Sequence, residues 1–583
     1  PASLSGIVPI MNGLSPANHL LLVILMPLVG AIVAWLMGSR GQQAVRQSAA
    51  VTALATLIAA GWLVIRFLSR PTSLSPLEPF AFVEVPWLVE GMFDIRLSLG
   101  LDGLSIWLFG LSALLSLTAV LVSWDAIKEK PVGFYVLLLL LEAAMLGVFA
   151  ARDIILFYVF FEFTLVPLFF LIGIWGHDER RKAAVKFFIY TLAGSVLSFL
   201  GLLAIVLWHA SQTGTITFDI AGLTAGLQAH PLPMTAAGGW LQWVVFLALF
   251  AGFAVKVPIV PFHTWLPLAH VEAPTGGSVD LAGVLLKIGI YGFLRFSLPM
   301  LPEASAAAAP WLVGLGVFGI LYGALVALVQ TDLKRLIAYS SVSHMGYIVL
   351  GLFALEPVAL EGANLQLINH GLSSAGLFAL VGMIYERFHT RSIANLGGIA
   401  AKAPWLTVLF MLFTFSSIGL PGLNGFVGEF MILAGAFQRA WAGVAESFFQ
   451  PYLLMAVSAV VGVVLGAWYM LWAVERVFFG PSREPPRSHA GDSHGAHGAH
   501  DATDRCDLQW HEAAALLPLA VFVVWIGVIP QVFLRPAAPA IEQAARAARE
   551  AFADRMSLVP EPPAAGSTIA ATHSTFPPPA PRP

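Results

Sequence analysis

Six ionisable side chains lie deep inside stretches that are otherwise apolar: Glu162, Lys256, Lys287, His344, His370 and Glu429. Glu162 sits in ILFYVFFEFTLVPLFF, Lys256 at the end of VVFLALFAGFAVK, and Lys287 midway through VDLAGVLLKIGIYGF. His344 and His370 each lie about ten residues inside neighbouring apolar runs, and Glu429 follows the interruption GLPGLNG. A charge at the centre of a bilayer costs about 2.5–3.5 kcal/mol on insertion scales, so such residues face a bundle interior or a wet cavity and are candidates for function by default. A row of acids, lysines and histidines suits proton passage. Each group's proton affinity depends on its neighbours' charge, so protonating one member ejects a proton from the next. A lone buried histidine is more often just hydrogen-bonded; two on adjacent segments beside a buried lysine favour transfer. Secondary candidates are Glu142 (after LLLLL), His263 beside a helix break, and Asp280. Asp280 precedes Lys287 by seven residues, close to two helical turns, which predicts one shared face about 10 Å apart. That is too far for direct pairing but within reach of a common water chain.

These residues must be positioned by membrane-spanning helices. Of the 583 residues, 58% are hydrophobic and only 11% charged, against about 25% charged for an ordinary soluble domain. The net charge of −3 comes with no basic stripe of the kind nucleic-acid binding requires. The single cysteine, Cys506, excludes an intrachain disulfide and any all-cysteine iron–sulfur or zinc site. The start of the sequence has no charged segment ahead of its first apolar run, so that run is expected to be retained as a span rather than cleaved.

Apolar windows of about 20 residues predict an all-α polytopic membrane protein of about fourteen helices: 19–37, 50–67, 98–123, 132–150, 153–175, 184–208, 240–257, 274–296, 311–330, 335–355, 364–387, 404–432, 452–477 and 512–534. Two are broken, the seventh at Pro258–Pro261 and the twelfth at Gly419–Gly425. Broken helices at membrane depth are tolerated only where they are buried in protein or line water. Matching breaks five spans apart suit two inverted five-helix repeats, 132–297 and 311–478. Flanking them are an N-terminal unit (1–97, two helices and a proline-rich outer loop from 68), the third helix (98–131), a linker (479–510), the last span (511–535) and a C-terminal surface helix with a mobile tail (536–583). The linker carries His489, His494, His497 and His500, whose bland reading is a disordered tract with incidental histidines. Loops after odd-numbered spans hold seventeen Lys/Arg (for example Arg180, Arg181, Lys182 and Lys186), and loops after even-numbered spans hold five (Arg66, Arg70, Arg96, Arg152 and Arg439). That asymmetry places the first set in the cytoplasm and both termini on the opposite side.

Several stretches together resemble a known family: FYVFFEFTLVPLFFLIGIWGH, FAVKVPIVPFHTWLP, GSVDLAGVLLKIGIYGFLRF, QTDLKRLIAYSSVSHMGYIVLG, HGLSSAGLF and GLPGLNGFVGEFMIL. They are similar to the antiporter-like membrane subunits of NADH–quinone oxidoreductase (respiratory complex I), strongly over 98–480. Glu429 in place of lysine at the second break, and the lack of a long lateral helix after the last span, resemble the M-type branch rather than the L-type. The resemblance implies a proton-translocating subunit of the bacterial inner membrane, beside L-type and N-type antiporter-like neighbours. It implies Glu162 with Lys256 as the key pair, Lys287 with His344 and His370 as the central relay, and Glu429 as the terminal group. It further implies no cofactor in this chain, with NAD, FMN, iron–sulfur clusters and quinone bound by partner subunits. The sequence departs from the family at WLPLAH, where Leu268 stands for the usual aspartate. Competing readings are a subunit of a multisubunit cation/proton antiporter, a membrane-bound hydrogenase arm, and a scaffold that does not pump.

Overall fold

In a bilayer every backbone N–H and C=O must be paired within its own segment, so long apolar runs fold as helices. The computed structural model describes residues 15–70, 78–234, 239–442, 451–483 and 507–557. The linker histidines, Cys506 and the proline-rich end lie outside the described residues. The chain begins with α1 (Pro16–Met37), capped by Ser15, whose hydroxyl accepts from Asn18 N at 3.2 Å. α2 (Gln42–Leu68), α3 (Ile106–Val122), α4 (Pro131–Ala150), α5 (Ile154–Phe163), α6 (Leu165–Trp175), α7 (Arg180–Thr213) and a short α8 (Ile220–Ala229) follow. The centre of the chain is α9 (Leu241–Lys256), α10 (Leu266–Glu272), α11 (Thr275–Met300), α12 (Pro302–Leu328), α13 (Leu333–Phe353) and α14 (Pro357–Phe388). A single turn, α15 (Ile399–Lys402), leads to α16 (Pro404–Ser417), α17 (Asn424–Ala442), α18 (Pro451–Phe479), α19 (Trp510–Val528) and α20 (Gln531–Ser557).

Among the described residues, eleven helices are long and apolar enough to cross a membrane, and the shorter α3, α9 and α16 are apolar as well. This is a polytopic, mostly helical bundle. α11 and α14 are buried along their whole apolar length and α13 nearly so, whereas α18 is largely open to its surroundings. The three innermost helices are therefore the ones that carry Lys287, His344 and His370.

Three expectations are corrected. The fold is not purely helical, because residues expected as an outer loop form a hairpin. β1 (Phe80–Glu90) pairs antiparallel with β2 (Phe93–Leu101), and the two-residue β3 (Ile216–Thr217) pairs parallel with β2. Alternating Val, Phe and Trp favour strand, and Gly91 at φ 60° makes the tight turn. Pro86 is tolerated because β1 is the edge strand and its register shifts there. Hence the third helix starts at Ile106, not at 98. Second, the fifth span is interrupted at Thr164, because the Pro167 ring cannot pack against the carbonyl four residues earlier. Third, α11 contains two π-helical segments, Leu281–Leu285 and Phe293–Ser297, so broken helices are not the bundle's only irregularities.

The last span is pinned to α14 by charge. Arg387 Nη1 and Nη2 donate to the two Glu512 carboxylate oxygens at 2.8 and 2.6 Å, with the Glu512 side chain only 4% exposed. Glu512 also accepts from Gln509 N at 2.8 Å, closing the cap of α19. Arg387→Ala would leave that carboxylate buried without its cation, a cost of about 3–5 kcal/mol. The expected result is a clearly lower melting temperature of the detergent-purified assembly, read by the loss of its size-exclusion peak after heating. Arg387→Lys should recover part of the loss.

Candidate functional site

α9 ends at Lys256, and the chain then runs without regular helix to Trp265, the residue before α10. The break is held by its own contacts. Trp265, 1% exposed, donates its indole N–H to Val255 O at 2.9 Å, and Ile259 N bonds Ala254 O at 2.9 Å. Residue 289 of α11 packs directly on this break. A Cβ there would lie 2.6 Å from Val257 Cγ2 and 2.8 Å from Phe253 O, so only glycine allows α11 so close. Lys256 is buried, its Nζ 4.5 Å from the centre of the Phe161 ring, a distance at which a cation is attracted to the aromatic face. Glu162 neighbours that ring at the kink in the fifth span. It is near Tyr158 and Ser195 and within electrostatic reach of Lys256. Among the described residues, the ion pairs closer than 4.0 Å do not include Glu162 with Lys256, and Glu162 Oε1 is buried without a hydrogen-bond partner. The structure brings the two into one neighbourhood without closing the pair.

The other four side chains are in contact. Lys287, fully buried, lies 2.8 Å from His370 Nδ1 and donates to Ala282 O. Ala282 lies in the first π segment, where the helical ladder is re-registered. The rings of His370 and His344 have centroids 5.7 Å apart. His344 Nδ1 meets Glu429 Oε1 at 2.8 Å, and its Nε2 meets Ser417 Oγ at 3.1 Å. Gln366 Nε2 donates to the same Glu429 oxygen at 3.1 Å. A cavity of about 10 Å³ lies among His344, His370, Ser340, Ser373, Ser374 and Asn369, about the room of one water with polar partners on several sides. The second break, between α16 and α17, supplies Ser416, Ser417 and Asn424. It turns through Gly419 and Gly422 at φ 74° and 92°, values that glycine adopts without strain. Ser416 Oγ donates to Asn424 Oδ1 and approaches Ser373 Oγ, both at 2.5 Å. The result is a polar thread from Lys287 through two imidazoles to Glu429, able to pass a proton by small rotations.

The secondary candidates fall elsewhere. Glu142 and Asp280 are both fully buried and within electrostatic reach of each other, and among the described residues no oxygen of either meets a donor. His263 packs edge-on against Tyr322 at 5.1 Å. Sequence reasoning passed over three further groups. His270, fully buried, stacks on Phe378 at 4.4 Å, and both ring nitrogens lack a hydrogen-bond partner among the described residues. Lys334 is buried and donates to Ala273 O at 2.6 Å. Asp102 binds two arginines at the end of the bundle that carries the hairpin: Arg152 Nη1 at 2.6 Å, and Arg295 Nη1 and Nη2 at 2.6 and 2.8 Å. Burial works against the Asp102 charge, but Arg295 and Arg152 outweigh it and hold the carboxyl well below the usual carboxylate range. The signal was present in YGFLRF, an arginine inside an apolar window.

The family model described as NADH:quinone oxidoreductase/Mrp antiporter, TM, matches residues 151–450. The chain is 39% identical to NADH-quinone oxidoreductase subunit M of Pseudomonas aeruginosa over 518 residues, 87% of this chain and 94% of that one. It is also 39% identical to subunit M of Escherichia coli (strain K12) over 519 residues, 88% and 94% of the two chains. Among solved structures it resembles a chain of respiratory complex I from Thermus thermophilus, with a TM-score of 0.74 and 31% identity over 91% of this chain and 99% of that one. A chain of the Mrp complex from Dietzia shares the fold, with a TM-score of 0.70 at 23% identity over 91% of this chain and 52% of that one.

Proposed function

The chain belongs to the family of membrane subunits shared by NADH:quinone oxidoreductases and Mrp antiporters, and from that premise we propose that it is the M-type proton-translocating subunit of a bacterial NADH–quinone oxidoreductase. The observation that carries the reading is the thread Lys287–His370–His344–Glu429, in which two contacts of 2.8 Å flank a pair of imidazoles. Imidazoles both accept and donate near neutral pH, and Glu429 supplies a last acceptor. Glu162 and Lys256 act as the input pair whose charge state sets that of Lys287. Moving one charge against 100 mV costs about 2.3 kcal/mol, equal to a proton-affinity swing of about two units. Such a swing is within what one buried neighbour's charge can impose.

In this reading α3, α9 with α10, and α16 with α17 complete a set of fourteen spans, and the two broken segments are corresponding members of two inverted five-helix repeats. Their matching positions support it: each break lies beside an ionisable group, Lys256 or Glu429. The lysine- and arginine-rich loops face the cytoplasm and both termini the periplasm of an inner membrane. NADH oxidation and quinone reduction take place in partner subunits, and the chain sits among other antiporter-like subunits, L-type and N-type. The cation/proton antiporter reading shares the family model, but the relatives at 39% identity are NADH-quinone oxidoreductase subunits, whereas the Mrp chain at 23% identity shares the fold alone.

A native gel of gently solubilised membranes, stained for NADH oxidation, tests the assignment. The chain, located by mass spectrometry, is expected in the large NADH-oxidising band. Migration with a smaller complex lacking that activity would overturn it.

A further inference from the structure

His270 and Lys334 lie at the end of the bundle opposite the hairpin, where α6 and α14 end and α7, α11 and α13 begin. Glu272, the last residue of α10, is fixed there by the loop between α6 and α7. His177 N–H donates to its carbonyl at 3.0 Å, and Glu179 N–H to its carboxylate at 2.9 Å. Lys334, also buried, bonds the Ala273 carbonyl between α10 and α11. The His270 ring lies flat on Phe378, with 9° between the planes, and neither nitrogen meets a partner among the described residues. A neutral imidazole has one N–H to give and one lone pair to fill. Burial with both unmet is costly, so such a ring is a place where water binds. His270 is within electrostatic reach of Lys334 at the start of α13, of Lys287 in the middle of α11, and of His370.

The way inward is marked on α13 and α14. His370, Ser374 and Phe378 follow one another at four-residue intervals along α14 and so lie one above another. Eight residues of helix span about 12 Å, which about four hydrogen-bonded steps of about 2.8 Å would cover. Ser374 Oγ, between the two rings, donates to His370 O. The small cavity at the relay is lined by His344 and Ile337 of α13 and by His370, Ser374 and Leu377 of α14. Ile337 is one turn from Lys334, and Leu377 adjoins Phe378. The lining therefore runs from the relay histidines to the level of His270.

We propose that His270 is the entry group through which protons from the face that carries Lys334 and Glu272 reach Lys287 and His370. The inference rests on the proton-carrying reading above and concerns how its relay is filled. One ring nitrogen takes a proton from water on the Lys334 side. The other nitrogen releases its own proton to water on the Lys287 side, so one proton enters and one leaves. A half-turn of the ring, ending in the same plane against Phe378, restores the starting tautomer. Histidine suits the place because it both accepts and donates near neutral pH.

The test uses the intact assembly in inverted membrane vesicles, with pumping per NADH oxidised followed by the quenching of a pH-sensitive dye. His270→Phe keeps the ring against Phe378 and removes both nitrogens. It is expected to lower pumping per NADH about tenfold or more, while the assembly forms and still passes electrons to a soluble acceptor. Phe378→Leu removes the stack and keeps the imidazole, and should lose far less. Normal pumping by His270→Phe would overturn the entry role. So would an equal loss in Phe378→Leu, which would assign His270 to packing. If His270→Phe does not assemble, His270→Gln decides in its place. Its amide bonds water but takes up no proton, so a loss supports the role and normal pumping overturns it. Lys287→Ala is measured in parallel. If it pumps normally, the proton-carrying reading fails and the entry role with it. If it loses pumping while His270→Phe does not, the entry role alone fails.

Discussion

Lys287→Ala should reduce proton pumping per NADH oxidised by more than tenfold, while the assembly still forms and still transfers electrons to a soluble acceptor. General acid–base groups contribute about 10²–10⁴-fold to the steps they serve, and Lys287 meets His370 Nδ1 at 2.8 Å. Its surroundings leave no bypass: Nζ contacts only His370 and the Ala282 carbonyl among the hydrogen bonds of the described residues, and the side chain is fully buried. The discriminating variant is Lys287→Arg. It preserves the positive charge and most of the volume, yet a guanidinium does not give up its proton in a protein. If Lys287 serves only as a fixed charge that positions His370, the arginine variant pumps. If it releases and recaptures a proton, arginine fails as alanine does. Pumping is measured in inverted vesicles by the quenching of a pH-sensitive dye, normalised to NADH consumption. Near-normal pumping by Lys287→Arg would remove the lysine from the proton path.

Much of this site was legible because charge inside an apolar run is its own signal. Lys287, His344, His370 and Glu429 each stood alone in windows that could only be helices in a bilayer, and the energy of burying them demanded partners. Sequence periodicity could not give the phase of α11. The shared face expected for Asp280 and Lys287 assumes 3.6 residues per turn throughout. The π segment Leu281–Leu285 lies between them and shifts that phase, and Asp280 comes within electrostatic reach of Glu142 instead. The hairpin was hidden by its prolines, which suggested a loop, although Gly91 and the alternating aromatic and β-branched residues fit a strand pair. Asp102, Arg152 and Arg295 were missed for a different reason. They are separated by 50 and 143 positions in sequence, and each taken singly looked like a boundary charge. Their clustering is a property of the bundle, set by β2 delivering Asp102 to the ends of α4 and α11.

The second large effect concerns Glu162 and Lys256, which are neighbours without a closed bond. Either Lys256→Ala or Glu162→Gln is expected to lower pumping per NADH by about tenfold or more, on the same acid–base grounds, with the amount of assembled complex little changed. The open arrangement makes a sharper prediction about the double variant. A permanently closed ion pair would contribute mainly stability, and removing one buried partner would cost about 3–5 kcal/mol and threaten assembly. Here Lys256 rests instead against the Phe161 ring at 4.5 Å, and Glu162 lies at a kink in the fifth span, where Pro167 follows, an arrangement suited to a pair that switches between open and closed. A pair that works by switching acts as one unit, and units of this kind are grossly non-additive. The double variant Lys256→Ala/Glu162→Gln should therefore pump about as poorly as either single variant, rather than at the product of the two losses. Losses that multiply, with each residue acting alone, would refute the switch. Unchanged pumping in both single variants would remove the pair from the path and return the chain to the role of scaffold.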